Sequence, residues 1–143
     1  MDRLINESCD PKQMSTAALA FAGDAVYSLL VREKLCCSNI SKADKLHKTS
    51  VEMVRCQYQA AAMERLMPVL TEAEKAVYMR GRNAHTSHVP KNSEVADYRA
   101  ATGFEALMGY VYLCGNIERL RELFAIIISD KEGDDDNEQK HDL

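Results

Sequence analysis

Apolar residues recur at helical spacing in one segment of the chain after another, and no segment alternates between apolar and polar residues as a strand does. The first predicted helix runs from about Ser15 to Leu35 and is apolar on nearly every side. Such a helix is usually buried in a core. It nevertheless carries Asp24, a residue type rarely buried without a partner, directly after Gly23, which weakens a helix interior.

The second predicted helix is long. It begins at a capping box formed by Ser41 and Asp44, and apolar residues then recur every seven positions as far as Met67, where Pro68 ends it. We therefore expect one continuous helix between residues 41 and 67.

Three further helices follow. Thr71 and Glu74 form the capping box of a short helix that is expected to stop near Gly81. Residues 82–93 are polar and are predicted to form a loop. Long helices are predicted over residues 94–113 and from residue 117 onward, so the predicted fold class is all-α, a helical bundle.

Length and charge divide the chain into a domain and a tail. The 143 residues, 46% of them hydrophobic, suit a single domain with one core. The net charge of −4 comes entirely from residues 131–143, because the other residues hold sixteen acids and sixteen bases. We expect an N-terminal segment over residues 1–14, a domain over residues 15–130 and a disordered acidic tail over residues 131–143.

The cysteine pattern indicates the compartment. The five cysteines are odd in number and contain no C-x-x-C pair, which favours reduced thiols and a cytoplasmic protein. No apolar run approaches the about 18 residues of a membrane span, and no membrane association is expected.

Glu105 is a second acidic residue within an apolar helix, as Asp24 is, and on its own face the neighbours are small. Two adjacent carboxylates repel each other, and a divalent cation between them removes that cost. Mg²⁺ commonly binds one or two carboxylates together with waters and substrate phosphates. An equally open alternative is structural: Asp24 could cap a helix end, and Glu105 could pair with a buried arginine.

Two stretches, GDAVYSLLVREKL (residues 23–35) and ATGFEALMGYVYL (residues 101–113), resemble the two signature motifs of ribonuclease III endonuclease domains. With RGRNA (residues 80–84) and VPKN (residues 89–92), the resemblance is greatest to mini-ribonuclease III, the compact bacterial branch of this family. It covers about residues 15–128 and matches Asp24 and Glu105 to acidic positions of the motifs.

The chain also departs from the larger enzymes of the family. Ala17 and Ala20 stand where the first motif usually has glutamates, and Thr102 stands where the second has aspartate. Two of the four usual metal-binding carboxylates are therefore absent, at Ala20 and Thr102, as they are in the mini form. Water and RNA phosphates would then supply most of the metal's coordination.

The resemblance implies an activity and partners. It implies a Mg²⁺-dependent endoribonuclease, a homodimer that cuts both strands of double-stranded RNA and leaves 5′-phosphate ends. Asp24 and Glu105 would be its catalytic, metal-binding residues, and its substrate would be the 23S ribosomal RNA precursor. The alternative is a non-catalytic RNA- or ribosome-binding module with the same fold.

Candidate RNA-binding residues lie around the predicted loop. Residues 78–93 contain Arg80, Arg82 and Lys91 and no acid, which suits contact with phosphates. Composition alone favours an ordinary solvated loop, and the family resemblance ties this loop to RNA contact.

Overall fold

The computed structural model describes residues 2–84 and 94–141, with residues 130–141 described by their backbone alone. All regular structure within these ranges is helical, as predicted. Two single 3₁₀ turns accompany six α-helices: α1 (Thr16–Cys36), α2 (Ala43–Met53), α3 (Cys56–Leu66), α4 (Glu72–Arg82), α5 (Val95–Leu113) and α6 (Ile117–His141).

Side-chain capping explains where two helices begin. The Ser15 hydroxyl accepts a hydrogen bond from the Ala18 N–H at 3.1 Å and caps α1. The predicted capping box of Thr71 and Glu74 is present at the start of α4, with both reciprocal hydrogen bonds formed. These contacts satisfy backbone donors that the first turn of a helix leaves without partners.

The prediction of one continuous second helix is wrong. The helix is interrupted at Val54 and Arg55, between α2 and α3. The expected Ser41–Asp44 capping box is also absent, because α2 begins after Lys42 with no side-chain cap. The Tyr27 hydroxyl of α1 donates a hydrogen bond to the Met53 carbonyl at 2.8 Å. This contact satisfies a carbonyl in the last turn of α2 and holds the break against α1.

Helix α5 lies at the centre and packs against α1, α3, α4 and α6. Nine of its residues are buried. Helix α1, in contrast, has an open face that no other described helix covers. Phe21 and Leu29 lie on this face and are 84% and 55% exposed. The expectation that α1 is buried on all sides is therefore wrong: only the stripe facing α5 is in the core.

Gly81 does not end α4, which continues to Arg82. A Cβ atom at Gly81 would lie 2.7 Å from the Gly103 Cα, so this glycine allows α4 to lie close against α5. The predicted stop is thus a site of close helix packing.

A buried ion pair ties α4 to α6. The Arg119 guanidinium donates to both carboxylate oxygens of Glu74, at 2.9 and 2.8 Å, and to the Val69 carbonyl at 2.7 Å. Hydrogen bonds from Arg119 hold the pKa of Glu74 below its usual value. This acid, 6% exposed, therefore has a complete structural role.

The backbone of α6 continues to His141, past the domain boundary that we placed at residue 130. Disorder of residues 131–143 in solution stays a prediction. Within the described residues, no helix combines the length and apolar character that crossing a membrane requires.

Candidate active site

The two candidate acids meet where α1 crosses α5. A Cβ atom at Gly23 would lie 1.6 Å from the Glu105 carbonyl oxygen, and one at Gly109 would lie 2.0 Å from the Leu19 carbonyl oxygen. The two backbones are therefore in direct contact, which only glycine permits at these positions. Asp24 follows Gly23, so the crossing places it beside Glu105.

The structure only partly matches the expectation that Asp24 and Glu105 are both buried. Asp24 is exposed, whereas Glu105 is half-buried, so the expectation of two buried acids is wrong for Asp24. Its helix is covered on one side only, and Asp24 shares the open side with Phe21. The negative charge of Asp24 nevertheless acts on the Glu105 carboxyl and contributes to the rise in its pKa.

Burial raises the pKa of Glu105 to about 7, and the negative charge of Asp24 acts in the same direction. A hydrogen bond from the Gln59 side chain opposes both effects. Among the described residues, no arginine or lysine contributes to this shift. Glu105 therefore differs from Glu74, whose charge is neutralised by Arg119.

The structural alternative for these acids does not match this geometry. Asp24 lies in the middle of α1 and does not cap its end, and the hydrogen-bond partner that shifts the pKa of Glu105 is a neutral glutamine.

The donor set fits Mg²⁺. Repulsion between two carboxylates is the cost that a divalent cation removes, and Asp24 is open to water and phosphate. No cluster of three or more possible metal ligands occurs among the described residues. A cation here would draw on two carboxylates, with water and substrate supplying the remaining ligands.

The candidate RNA-binding residues are only partly described. Arg80 and Arg82 lie in the last turn of α4, on either side of Gly81, and both are exposed. Gly81 lies against Gly103, two residues before Glu105 on α5, so this basic turn is close to the acids along the helix. Lys91 and most of the predicted loop lie outside the described residues.

Gln59 was missed at the sequence level. It is 1% exposed and is one of two buried polar or charged side chains in the described part of the chain. Its only sequence signal is a polar residue in the apolar stripe of α3, and that stripe becomes visible once the break after Met53 is known.

Comparison with known proteins assigns the architecture. The family model for the ribonuclease III domain matches residues 17–116, a range that contains both Asp24 and Glu105. The chain belongs to the ribonuclease III family. The resemblance found in the two sequence motifs is thereby confirmed.

Relatives match along most of their length. The chain is 44% identical to mini-ribonuclease 3 of Thermoanaerobacter sp. (strain X514), over 80% of this chain and 81% of that protein. It is 40% identical to mini-ribonuclease 3 of Streptococcus pneumoniae, over 87% of this chain and 98% of that protein.

A solved structure supports the same fold. The crystal structure of protein FN1578 from Fusobacterium nucleatum matches with a TM-score of 0.76 at 28% identity, covering 86% of this chain and 99% of that one. This ribonuclease III domain therefore extends through most of the chain without a second domain in the matched region.

Proposed function

We propose that this chain is a Mg²⁺-dependent endoribonuclease that cuts both strands of double-stranded RNA. The observation that carries the proposal is the pair of Asp24 and Glu105 at the crossing of α1 and α5, where the charge of Asp24 helps to raise the pKa of half-buried Glu105, within a ribonuclease III domain. Binding RNA alone gains nothing from such a repulsive pair.

Asp24 and Glu105 would hold the metal through their carboxylates. A bound Mg²⁺ lowers the pKa of a coordinated water and offsets charge on the phosphate under attack. Asp24, at the surface, is accessible to the RNA backbone, whereas half-buried Glu105 is held on the central helix. Neither acid needs to act as a general base.

The substrate that we propose is a duplex region of a ribosomal RNA precursor, that of the 23S RNA, in the cytoplasm. Similarity to mini-ribonuclease 3 along most of the chain supports this choice. The unpaired cysteines are compatible with a reducing compartment.

The activity is tested on duplex RNA and on each strand alone, with Mg²⁺ or with a chelator. We expect Mg²⁺-dependent cleavage of the duplex only, with 5′-phosphate ends. Duplex binding without cleavage would instead support the binding module. The absence of both binding and cleavage would indicate a purely structural protein.

We propose that the enzyme is a homodimer joined through the strip of α1 that carries Phe21 and Leu29, with Asp24 at the edge of this strip and accessible to RNA. Phe21 and Leu29, eight residues apart, leave an apolar surface that a single copy does not cover. A second copy of α1 would bury it. Sedimentation velocity should give the mass of a dimer, and a monomer at micromolar concentration would contradict this arrangement.

The basic turn of α4 is proposed to bind RNA phosphates together with Lys91. Replacing Arg80, Arg82 and Lys91 by Ala should weaken binding to all duplex sequences alike, because phosphate contacts carry no sequence information. The slope of log affinity against log salt should become shallower by about 1 for each phosphate that the variant no longer binds.

A matched control removes three other positive charges. Arg55, Lys75 and Arg121 each form an ion pair with an acid on or next to their own helix, and replacing them by Ala gives the same net charge. This control should keep the salt slope of the unmodified protein. Equal slopes for both triple variants would show that net charge alone matters.

A further inference from the structure

Gln59 is a polar side chain at a core position. The buried residues of α3 are Gln59, Ala62, Met63 and Leu66, which form one stripe at helical spacing. The other three are apolar. An amide in such a position costs free energy unless its hydrogen bonds are satisfied, so its presence calls for a specific partner.

That partner is the Glu105 carboxylate, to which the Gln59 amide donates a hydrogen bond. Helix α3 packs against α5 and begins after the break that follows Met53. The Tyr27 hydroxyl of α1 fixes the position of this break through its hydrogen bond to the Met53 carbonyl. The three helices that carry Asp24, Gln59 and Glu105 thus converge at one point.

A neutral donor suits a metal ligand better than a basic one. An amide N–H fixes the orientation of a carboxylate and leaves its negative charge available, whereas an arginine or lysine would neutralise that charge. The contrast is visible in this protein: Glu74 is paired with Arg119, and Glu105 is paired with Gln59.

We propose that Gln59 is a positioning residue, which holds the Glu105 carboxylate in the orientation that binds the catalytic cation. The proposal rests on the proposed function of Asp24 and Glu105. Gln59 itself contacts neither the cation nor the RNA; it acts through the Glu105 side chain.

The test replaces Gln59 by Met, which has similar length and volume and no donor. Gln57→Met is the matched control, because Gln57 is an exposed glutamine on the same helix. Two quantities are measured for each variant: the Mg²⁺ concentration that gives half-maximal duplex cleavage, and the rise in melting temperature that Mg²⁺ produces without RNA.

Loss of a residue that orients a metal ligand typically weakens metal binding by about 10- to 100-fold. We expect the half-maximal Mg²⁺ concentration of Gln59→Met to rise by about that factor, with kcat at saturating Mg²⁺ largely recovered. The Mg²⁺-induced rise in melting temperature should shrink in the same variant. Gln57→Met should match the unmodified protein in both measurements.

An unchanged half-maximal Mg²⁺ concentration in Gln59→Met would overturn the proposal and leave Gln59 a purely structural residue. If this variant does not fold, Gln59→Leu, which is smaller and also lacks a donor, is judged by the same criterion. Failure of the proposed function is a separate result, because the unmodified protein would then show no Mg²⁺-dependent cleavage at all.

Discussion

Replacing Glu105 by Gln, or Asp24 by Asn, is expected to lower Mg²⁺-dependent cleavage of duplex RNA by about a thousandfold or more. The cation contributes several kcal/mol to transition-state stabilisation, and each ~1.4 kcal/mol corresponds to a tenfold change in rate. Both substitutions preserve side-chain shape and remove only the charge that holds the cation. Initial rates of cleavage at saturating RNA measure the effect.

The same variants should remain folded without metal. The pKa of Glu105 is raised to about 7, above its ordinary value, so this carboxyl contributes stability at low pH that is lost as the pH rises through 7. Glu105→Gln removes this penalty. Above pH 7, the metal-free variant should therefore melt at the temperature of the unmodified protein or higher.

Glu74→Gln provides the matched control. It removes a buried acid of the same type from the ion pair with Arg119, and it should lower the melting temperature while the folded protein continues to cleave RNA. If Glu105→Gln behaved in that way, with a steep loss of stability and retained cleavage, the assignment of Glu105 as a metal ligand would be wrong.

Gly23→Ala is expected to destabilise the domain by about 4 kcal/mol or more, which places it among the rare large effects of single substitutions. The added Cβ would lie 1.6 Å from the Glu105 carbonyl oxygen, and neither backbone has a flexible atom to move. The helices α1 and α5 would have to separate, which would also move Asp24 away from Glu105. Urea denaturation measures the loss.

The control for this substitution is Ala61→Ser, which adds one atom at an exposed position of α3. It should change stability by no more than about 0.5 kcal/mol. A denaturation midpoint for Gly23→Ala equal to that of the unmodified protein would show that α1 and α5 are not in backbone contact.

Much of the fold could be predicted because its signals are local. The hydroxyls of Ser15 and Thr71 begin helices through hydrogen bonds to residues three positions later, and such spacing is visible in a sequence. The small residues around Asp24 and Glu105 are also visible in the sequence, and the structure shows that they allow contact between two helix backbones.

The errors come from contacts between distant residues. The seven-residue apolar repeat runs through the break after Met53, whereas the hydroxyl that holds the break belongs to Tyr27, on another helix. The exposure of Asp24 likewise depends on which side of α1 the core covers. Gln59 was missed because its importance comes from a partner 46 positions later in the chain.

The most direct test of the proposed active site is anomalous diffraction from crystals of the unmodified protein grown with duplex RNA and Mn²⁺ in place of Mg²⁺. The geometry predicts a Mn²⁺ peak within coordinating distance of a carboxylate oxygen of both Asp24 and Glu105, with its remaining ligands from water and an RNA phosphate. A Mn²⁺ peak beside the RNA that contacts neither Asp24 nor Glu105 would contradict it.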